Sequence, residues 1–299
     1  MASDAFQDFS DALAAAAERA GESTVSVYGR PHGPGSGIVW SADGHVVTAD
    51  HVLHGDDGFT VGLPGGQEVA ASLVGRDPTN DLALLKVEAG GLIPADWLAM
   101  DALKVGQLVL ALGRPGKEGV STTLGVVSAV RKPEMGRRTR HDAFIQTDVL
   151  MYPGFSGGPL VAPGGKVAGL NSSAFSRGAS LALPWETVSA VAASLKEHGR
   201  VRRGYLGIVS HPIRLAAPVA EKLGQSIGLI LQSVEPGSPA DKAGLAQGDI
   251  LVSLGGVPAE GMDDLQSVLG PESVGLSLAA KVVRGGEVRE ISLTVGERG

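Results

Sequence analysis

The sequence predicts a mainly β chain, an antiparallel sandwich or pair of barrels, followed by a small mixed α/β unit. Three observations carry that expectation. From Ser23 onward about a dozen short β-rich runs recur, separated by Gly, Pro, Asp and Asn. No strand–helix alternation interrupts them, which disfavours a doubly wound sheet. The chain of 299 residues also holds 44 Gly and 17 Pro. That density opposes an all-helical fold and favours many short strands joined by tight turns.

The elements follow in order. Residues 4 to 20 are rich in Ala and Leu, and Gly21 follows as a stop, so a helix is expected there. The runs TVSVYG, GIVWS, GHVVTA, FTVGL, EVAASLVG and DLALLKVE read as strands, as do QLVLALG, STTLGVVSAV, FIQTDVL, GGPLVA, KVAGLNSSA and ASLALP. Residues 184 to 197 form a second helix. Pro184 opens it, and Trp185, Val188, Val191, Ala192 and Leu195 share one face. The polar stretch 198–204 reads as a linker. Beyond it, YLGIVS and IGLILQSVEPGS are strands, PADKAGL is a short helix, and DILVSLGG is a strand. MDDLQSVLG is a helix with Met262, Leu265, Gln266 and Leu269 on one side. A hairpin closed by Gly285-Gly286 ends the chain. The expected division is thus 1–21 helical, 22–197 the first domain, 198–204 the linker and 205–299 the second domain.

Composition excludes several classes. Without Cys there is no disulfide framework, thiolate metal site or cysteine nucleophile. A net charge of −7 gives no global basic surface, so nucleic acid is not an expected partner. No apolar run approaches the ~18 residues of a membrane helix. The N-terminus lacks a basic n-region and does not read as a signal peptide. The expected compartment is the cytoplasm, or the periplasm or cell envelope if a targeting segment is missing from this sequence. No His, Asp or Glu cluster has metal-ligand spacing, so no metal or organic cofactor is expected.

The chemistry concentrates in Gly154-Phe155-Ser156-Gly157-Gly158-Pro159. A Ser among glycines can expose its hydroxyl, and the flanking N–H groups can approach a substrate carbonyl. The motif also matches a hydrolase nucleophile elbow. An elbow Ser opens a helix, however, and Gly157-Gly158-Pro159 followed by LVA does not. The order base, acid, nucleophile fits better, with His51 after a strand, Asp81 at the mouth of another, and Ser156. In that template Ser156 attacks, His51 carries the proton and Asp81 fixes the imidazole. Backbone N–H groups of Gly154 and Ser156 would receive the oxyanion. His45 and His54 compete for the base role and Asp77 for the acid. The Gly-rich stretch can also be read as a plain hairpin.

The stretches GSGIVWSADGHVVTADHV, DPTNDLALLKV, GQLVLALGRPG, TTLGVVSAV, FIQTDVLMYPGFSGGPLV and GKVAGLNSSA resemble consecutive blocks of the HtrA (DegP/DegS-like) family. These are trypsin-like serine proteases with a C-terminal PDZ domain. The resemblance runs from about residue 22 to the end. It implies a chymotrypsin-like double β-barrel, a crevice site between the barrels, and the same His51, Asp81 and Ser156 triad. The family usually places Asn before the nucleophile, where this chain has Phe155. In such a fold Leu150 lies at the floor of the primary specificity pocket, with Asn171, Ser172 and Ser173 opposite. An apolar floor disfavours Lys and Arg, so cleavage after Val, Ala or Leu is expected. Tyr205-Leu206-Gly207-Ile208 resembles the PDZ carboxylate-binding loop, with Leu265 on the facing helix. The basic run Arg131, Lys132, Arg137, Arg138 and Arg140 occupies the position of the family's regulatory loop.

The implied function is a serine endopeptidase that degrades misfolded or unfolded proteins, its PDZ domain capturing C-terminal peptides. The alternative is a chaperone or peptide-binding scaffold whose protease domain is inactive at rest. The family resemblance further implies a homotrimer or higher multiple, with Phe6 and Phe9 available for that contact.

Overall fold

A computed structural model of the chain describes residues 2–29, 33–131, 143–174 and 180–297. The chain divides into two compact units, and the sequence passes from one to the other between Val201 and Arg202.

The first unit opens with helix α1 (Ala2–Gly21). Twelve strands follow, in two closed barrels. The first barrel is formed by β1 (Thr24–Tyr28), β2 (Gly35–Ser41), β3 (His45–Thr48), β4 (Phe59–Gly62), β5 (Glu68–Asp77) and β6 (Leu82–Val87). It closes in the order β1-β2-β3-β6-β5-β4. The second is formed by β7 (Leu108–Gly113), β8 (Ser121–Arg131), β9 (Phe144–Thr147), β10 (Pro159–Val161), β11 (Val167–Ser172) and β12 (Ser180–Pro184). It closes in the order β10-β11-β12-β9-β8-β7. All pairings are antiparallel, and the sequence's choice between sandwich and barrels resolves as barrels. Closure leaves no free sheet edge among the described residues of this unit.

Alternation explains the interiors. In the first barrel Val25, Val27, Val39, Val46, Val61 and Leu85 share one face by register and Ile38, Val47 and Leu84 the other, both faces being buried. In the second Val109, Ala111, Ile145 and Leu160 share one face, with Phe155 packed among them. Helix α2 (Trp185–His198) ends at Gly199 in the left-handed conformation. Its Val188, Val191, Ala192 and Leu195 join the core of the first barrel, which is the face that the periodicity predicts. Trp185 stacks on Trp97 with ring centroids 4.6 Å apart. Helix α1 lays Ala16 and Ala20 against Leu110, Leu112 and Val161 of the second barrel. Its Phe6 stays 75% exposed.

The second unit contains β13 (Gly204–Tyr205), β14 (Ile208–Arg214), α3 (Ala217–Leu223), β15 (Ile227–Val234), α4 (Pro239–Lys242), β16 (Ile250–Leu254), β17 (Val257–Pro258), α5 (Met262–Val268), β18 (Ser277–Arg284), β19 (Glu287–Thr294) and β20 (Gly296–Glu297). Its main sheet runs β14-β15-β16-β18-β19, so β14 is an edge strand. Helix α3 escapes the sequence reading. It buries no residue, but Pro218 near its start and Gly224 in left-handed conformation at its end are its signals. The stretch 198–204, expected as a linker, holds the end of α2, a bridge between Arg76 and Arg200, and the start of β13. Of the basic run, Arg131 packs over the Phe144 ring. Lys132, Arg137, Arg138 and Arg140 lie outside the described residues.

Candidate active site

The first barrel supplies an imidazole and a carboxylate. Strand β3 ends at Thr48, and a single 3-10 turn, Asp50–Val52, presents His51. Asp81 stands just before β6 with φ +49°, the one non-Gly residue with positive φ among those described. Asp tolerates this conformation better than most residues. It holds the Asp81 carbonyl on the Asp50 N–H at 3.1 Å and the carboxylate on the His51 N–H at 2.9 Å. His51 Nδ1 then lies 2.9 and 2.8 Å from the two carboxylate oxygens. An Nδ1 proton held there leaves the Nε2 lone pair open as a base. The side chain of Asp81 is buried, which strengthens its pull on the imidazole N–H.

Beside this pair Asp50 accepts from Arg76 at 3.3 Å. Burial pushes the Asp50 carboxyl above its ordinary range, against the pull of Arg76 and with the help of the Asp81 charge. Two of the three competing groups, His45 and Asp77, are engaged elsewhere. His45 Nδ1 lies 2.9 Å from Asp43. The Asp77 carboxylate caps the turn before Asp81, accepting from the Thr79 N–H and the Asn80 amide. His54 is exposed, and its backbone N–H donates to the Gly29 carbonyl.

The second barrel supplies the serine on the loop that enters β10. Phe155 anchors that loop. Its ring is fully buried among the barrel core and sits edge-on to Tyr152 at 5.7 Å. Gly157 has φ +85°, and a Cβ there would stand 2.1 Å from the Ser36 carbonyl oxygen. No other residue fits that crossing. The loop is tied to the first barrel through Ser36, which the sequence reading did not single out. Ser36 Oγ donates to the Gly154 carbonyl at 2.6 Å and accepts the Arg114 N–H at 2.8 Å. The Ser36 N–H donates to the Ser156 carbonyl at 3.0 Å. With these carbonyls turned onto Ser36, the N–H groups of Gly154 and Ser156 have no partner among the described residues. They are available to an oxyanion.

Two serines at the end of β11 complete the cluster. Ser172 Oγ donates to Asp81 Oδ2 at 2.5 Å, a third hydrogen bond to that carboxylate. Ser156 Oγ lies 3.0 Å from Ser173 Oγ, which in turn lies 3.4 Å from His51 Nε2. The nucleophile and the base are thus bridged by a hydroxyl rather than joined directly. The structure places the expected pocket residues differently from one another. Leu150 is 59% exposed, with its carbonyl bonded to Thr123. Asn171 is buried, its amide donating to the Pro159 carbonyl at 2.8 Å. Of Asn171, Ser172 and Ser173 only Ser173 is exposed, with its hydroxyl on that of Ser156. Positions 175–179, which follow it, lie outside the described residues. A concavity of about 280 Å³ lined by Tyr28, Leu63, Glu68, Arg114 and Lys117 includes none of the triad candidates.

In the second unit Tyr205 pairs with Gly296, and its hydroxyl donates to Glu235. The carbonyls of Leu206 and Gly207 accept the N–H groups of Ala240 and Glu235. Gly207 has φ +77°, and a Cβ there would meet the Ser238 Cβ at 2.2 Å. The N–H groups of Leu206 and Gly207 have no partner among the described residues. Ile208 opens the edge strand beside them. Leu265 is buried in the core of this unit, whereas Met262, one turn earlier on α5, is 40% exposed. The sequence pattern put both on one face without separating core from rim. The Ser210 hydroxyl meets the Met262 sulfur at 3.3 Å.

The comparisons with known proteins now bear on this geometry. The trypsin-like peptidase domain family matches residues 35–170, and the PDZ domain family residues 230–283. The solved HtrA-type protease AlgW with tripeptide superposes with a TM-score of 0.77 at 32% identity, covering 96% of this chain and 97% of that one. The chain belongs to the HtrA family. The serine endoprotease from Yersinia pestis superposes with a TM-score of 0.78 at 30% identity, over 95% of this chain and 97% of that one. A probable periplasmic serine endoprotease, DegP-like, from Ectopseudomonas mendocina is 40% identical over 270 residues, 88% of this chain and 56% of the relative. The chain therefore spans about half the length of the curated relatives it matches. The double barrel and the C-terminal PDZ domain are thus the HtrA arrangement. Among the described residues no helix is long and apolar enough to cross a membrane.

Proposed function

We propose that the chain is an HtrA-type serine endoprotease acting on unfolded polypeptides, with Ser156 as nucleophile, His51 as base and Asp81 as its orienting acid. One observation carries this reading. A buried carboxylate grips His51 Nδ1, and Ser156, linked to His51 through the Ser173 hydroxyl, has beside it two N–H groups, of Gly154 and Ser156, without a partner among the described residues. Attack by Ser156 Oγ on a peptide carbonyl passes its proton to His51. The tetrahedral oxyanion takes the Gly154 and Ser156 N–H groups. Collapse returns the proton to the leaving amine, and water then hydrolyses the acyl-enzyme by the same relay. Unfolded casein separates the cases. Wild type should degrade it and Ser156→Ala should not; equal degradation by both would refute the assignment.

The remaining parts of the reading are assigned as follows. Residues 22–197 form the protease domain and 205–299 the PDZ domain, with 1–21 and 198–204 as helical segment and linker. Leu206, Gly207 and Ile208 capture a C-terminal carboxylate, and β14 pairs with the peptide. The exposed Phe6 and Phe9 on α1 serve a homotrimer. Leu150 selects aliphatic side chains. The DegP-like relatives are named periplasmic, which supports the periplasm against the cytoplasm expected from the N-terminus alone, and the role assigned is the removal of misfolded proteins. The scaffold reading keeps one specific support, since Ser156 is bonded to Ser173 rather than to His51.

A further inference from the structure

Strand β14 is the free edge of the PDZ sheet, and its register determines which backbone groups a peptide can reach. Opposite residues in an antiparallel pair alternate between those that bond each other and those that point away. The Leu215 N–H donates to the Ser226 carbonyl at 2.9 Å, which makes that pair a bonded one. With Ile213 opposite Gly228 and His211 opposite Ile230, the N–H groups of 211, 213 and 215 face β15. At the other end the Glu235 N–H donates to the Gly207 carbonyl, so Val209 also faces inward. The outward positions are therefore Ile208, Ser210, Pro212 and Arg214. The third of these has no N–H to offer, and its ring occupies the space where one would reach an approaching carbonyl. Pro212 is exposed, so no described residue of the domain covers that part of the edge.

We infer that Pro212 limits peptide pairing at this edge, so that the PDZ domain reads only about the last four residues of a C-terminal ligand. The inference rests on the reading of Leu206–Ile208 as the carboxylate loop. With the terminal residue beside Ile208, the third residue from the end pairs with Ser210 through both of its backbone groups. The fifth falls opposite Pro212, where its carbonyl finds no donor. A proline in an edge strand also guards against edge-to-edge aggregation. That role is compatible with this one, but it predicts no dependence on ligand length.

The test is a length series on the full chain in a Ser156→Ala background, which prevents cleavage. The tightest binder from an array of octapeptides with free carboxylates is shortened from its N-terminus, and affinity is measured by titration calorimetry. Affinity should rise up to four residues, and the four- and eight-residue peptides should agree within about twofold. Pro212→Ala should leave the four-residue peptide unchanged and tighten the eight-residue one by roughly threefold to tenfold, the worth of one or two restored hydrogen bonds. Pro212→Val, a good strand former, should behave likewise, and circular dichroism checks that both variants fold. Steady gains beyond five residues in the parent chain, or no gain in either folded variant, would overturn the role of Pro212. If no octapeptide binds, or amidated versions bind equally, the carboxylate-capture reading itself fails.

Discussion

Ser36→Ala is the most informative substitution outside the triad. Ser36 lies on β2 of the first barrel, yet its hydroxyl makes two bonds to the second: to the Gly154 carbonyl at 2.6 Å and from the Arg114 N–H at 2.8 Å. Alanine leaves both backbone groups without that partner. An unsatisfied buried group costs about 1–3 kcal/mol, and water can relieve part of it. A loss near 2 kcal/mol is therefore expected, with the Ser36 N–H still holding the Ser156 carbonyl. The released Gly154 carbonyl also frees its peptide to rotate, which misaims the adjacent oxyanion donors. Losing one such donor costs roughly 10²–10³ in turnover, so a partial misalignment should cost about tenfold or somewhat more. All three Trp, at 40, 97 and 185, lie in the protease unit. Fluorescence-monitored guanidinium unfolding thus reports that unit alone. The reasoning predicts a lower unfolding midpoint together with a lower kcat on a peptide ester, and partial recovery in Ser36→Thr. Wild-type turnover in a destabilised Ser36→Ala would refute the link to the oxyanion loop. Wild-type stability would refute the hydrogen-bond accounting.

Four further outcomes are expected. Ser172→Ala removes the 2.5 Å donor to Asp81; the pH–rate profile should shift and kcat/KM should fall by about tenfold, the scale of one charge-assisted bond. Ser173→Ala removes the hydroxyl between Ser156 and His51. Phosphonylation of Ser156 by a fluorophosphonate should then speed up severalfold, and an unchanged rate would show that the bridge has no kinetic role. Phe155→Ala empties a fully buried ring site and should cost ~3–5 kcal/mol in Trp-monitored unfolding; Phe155→Asn should also destabilise, because its amide would be buried without partners. In the PDZ unit burial raises the Asp249 carboxyl, but hydrogen bonds from Arg284 and the Ala246 N–H outweigh it and hold it below the ordinary range. That stability is present above the unfolded carboxylate pKa of about 3.9 and is lost as pH falls through the folded value. Protection factors at Leu251 and Val282, taken against the intrinsic exchange rate at each pH, should fall in acid, and Asp249→Asn should flatten that dependence.

The fold and triad candidates were legible because their signals are local. Alternating apolar runs between Gly and Pro mark strands, and Ser156 among glycines, preceded by His51 and Asp81 in that order, marks a candidate nucleophile. The supporting contacts were not legible, because they join residues far apart in the chain. Ser36 meets Gly154, and Ser172 meets Asp81, only after both barrels close. The left-handed φ of Asp81 carries no sequence mark of its own. The same reason separates the pocket residues. Asn171, Ser172 and Ser173 are consecutive, but strand alternation and the end of β11 send their side chains to Pro159, Asp81 and Ser156 respectively. Leu265 and Met262 share a helix face, yet only the packing of the domain core, which takes in Leu265 and leaves Met262 at its rim, decides which of them is core.

The central claim is that Ser156 is a nucleophile activated by His51. Mass spectrometry of the chain after exposure to a fluorophosphonate tests it most directly. The account predicts a single adduct on the peptide containing Ser156, lost in Ser156→Ala and strongly slowed in His51→Ala. An adduct elsewhere, or labelling of Ser156 at the same rate without His51, would contradict it.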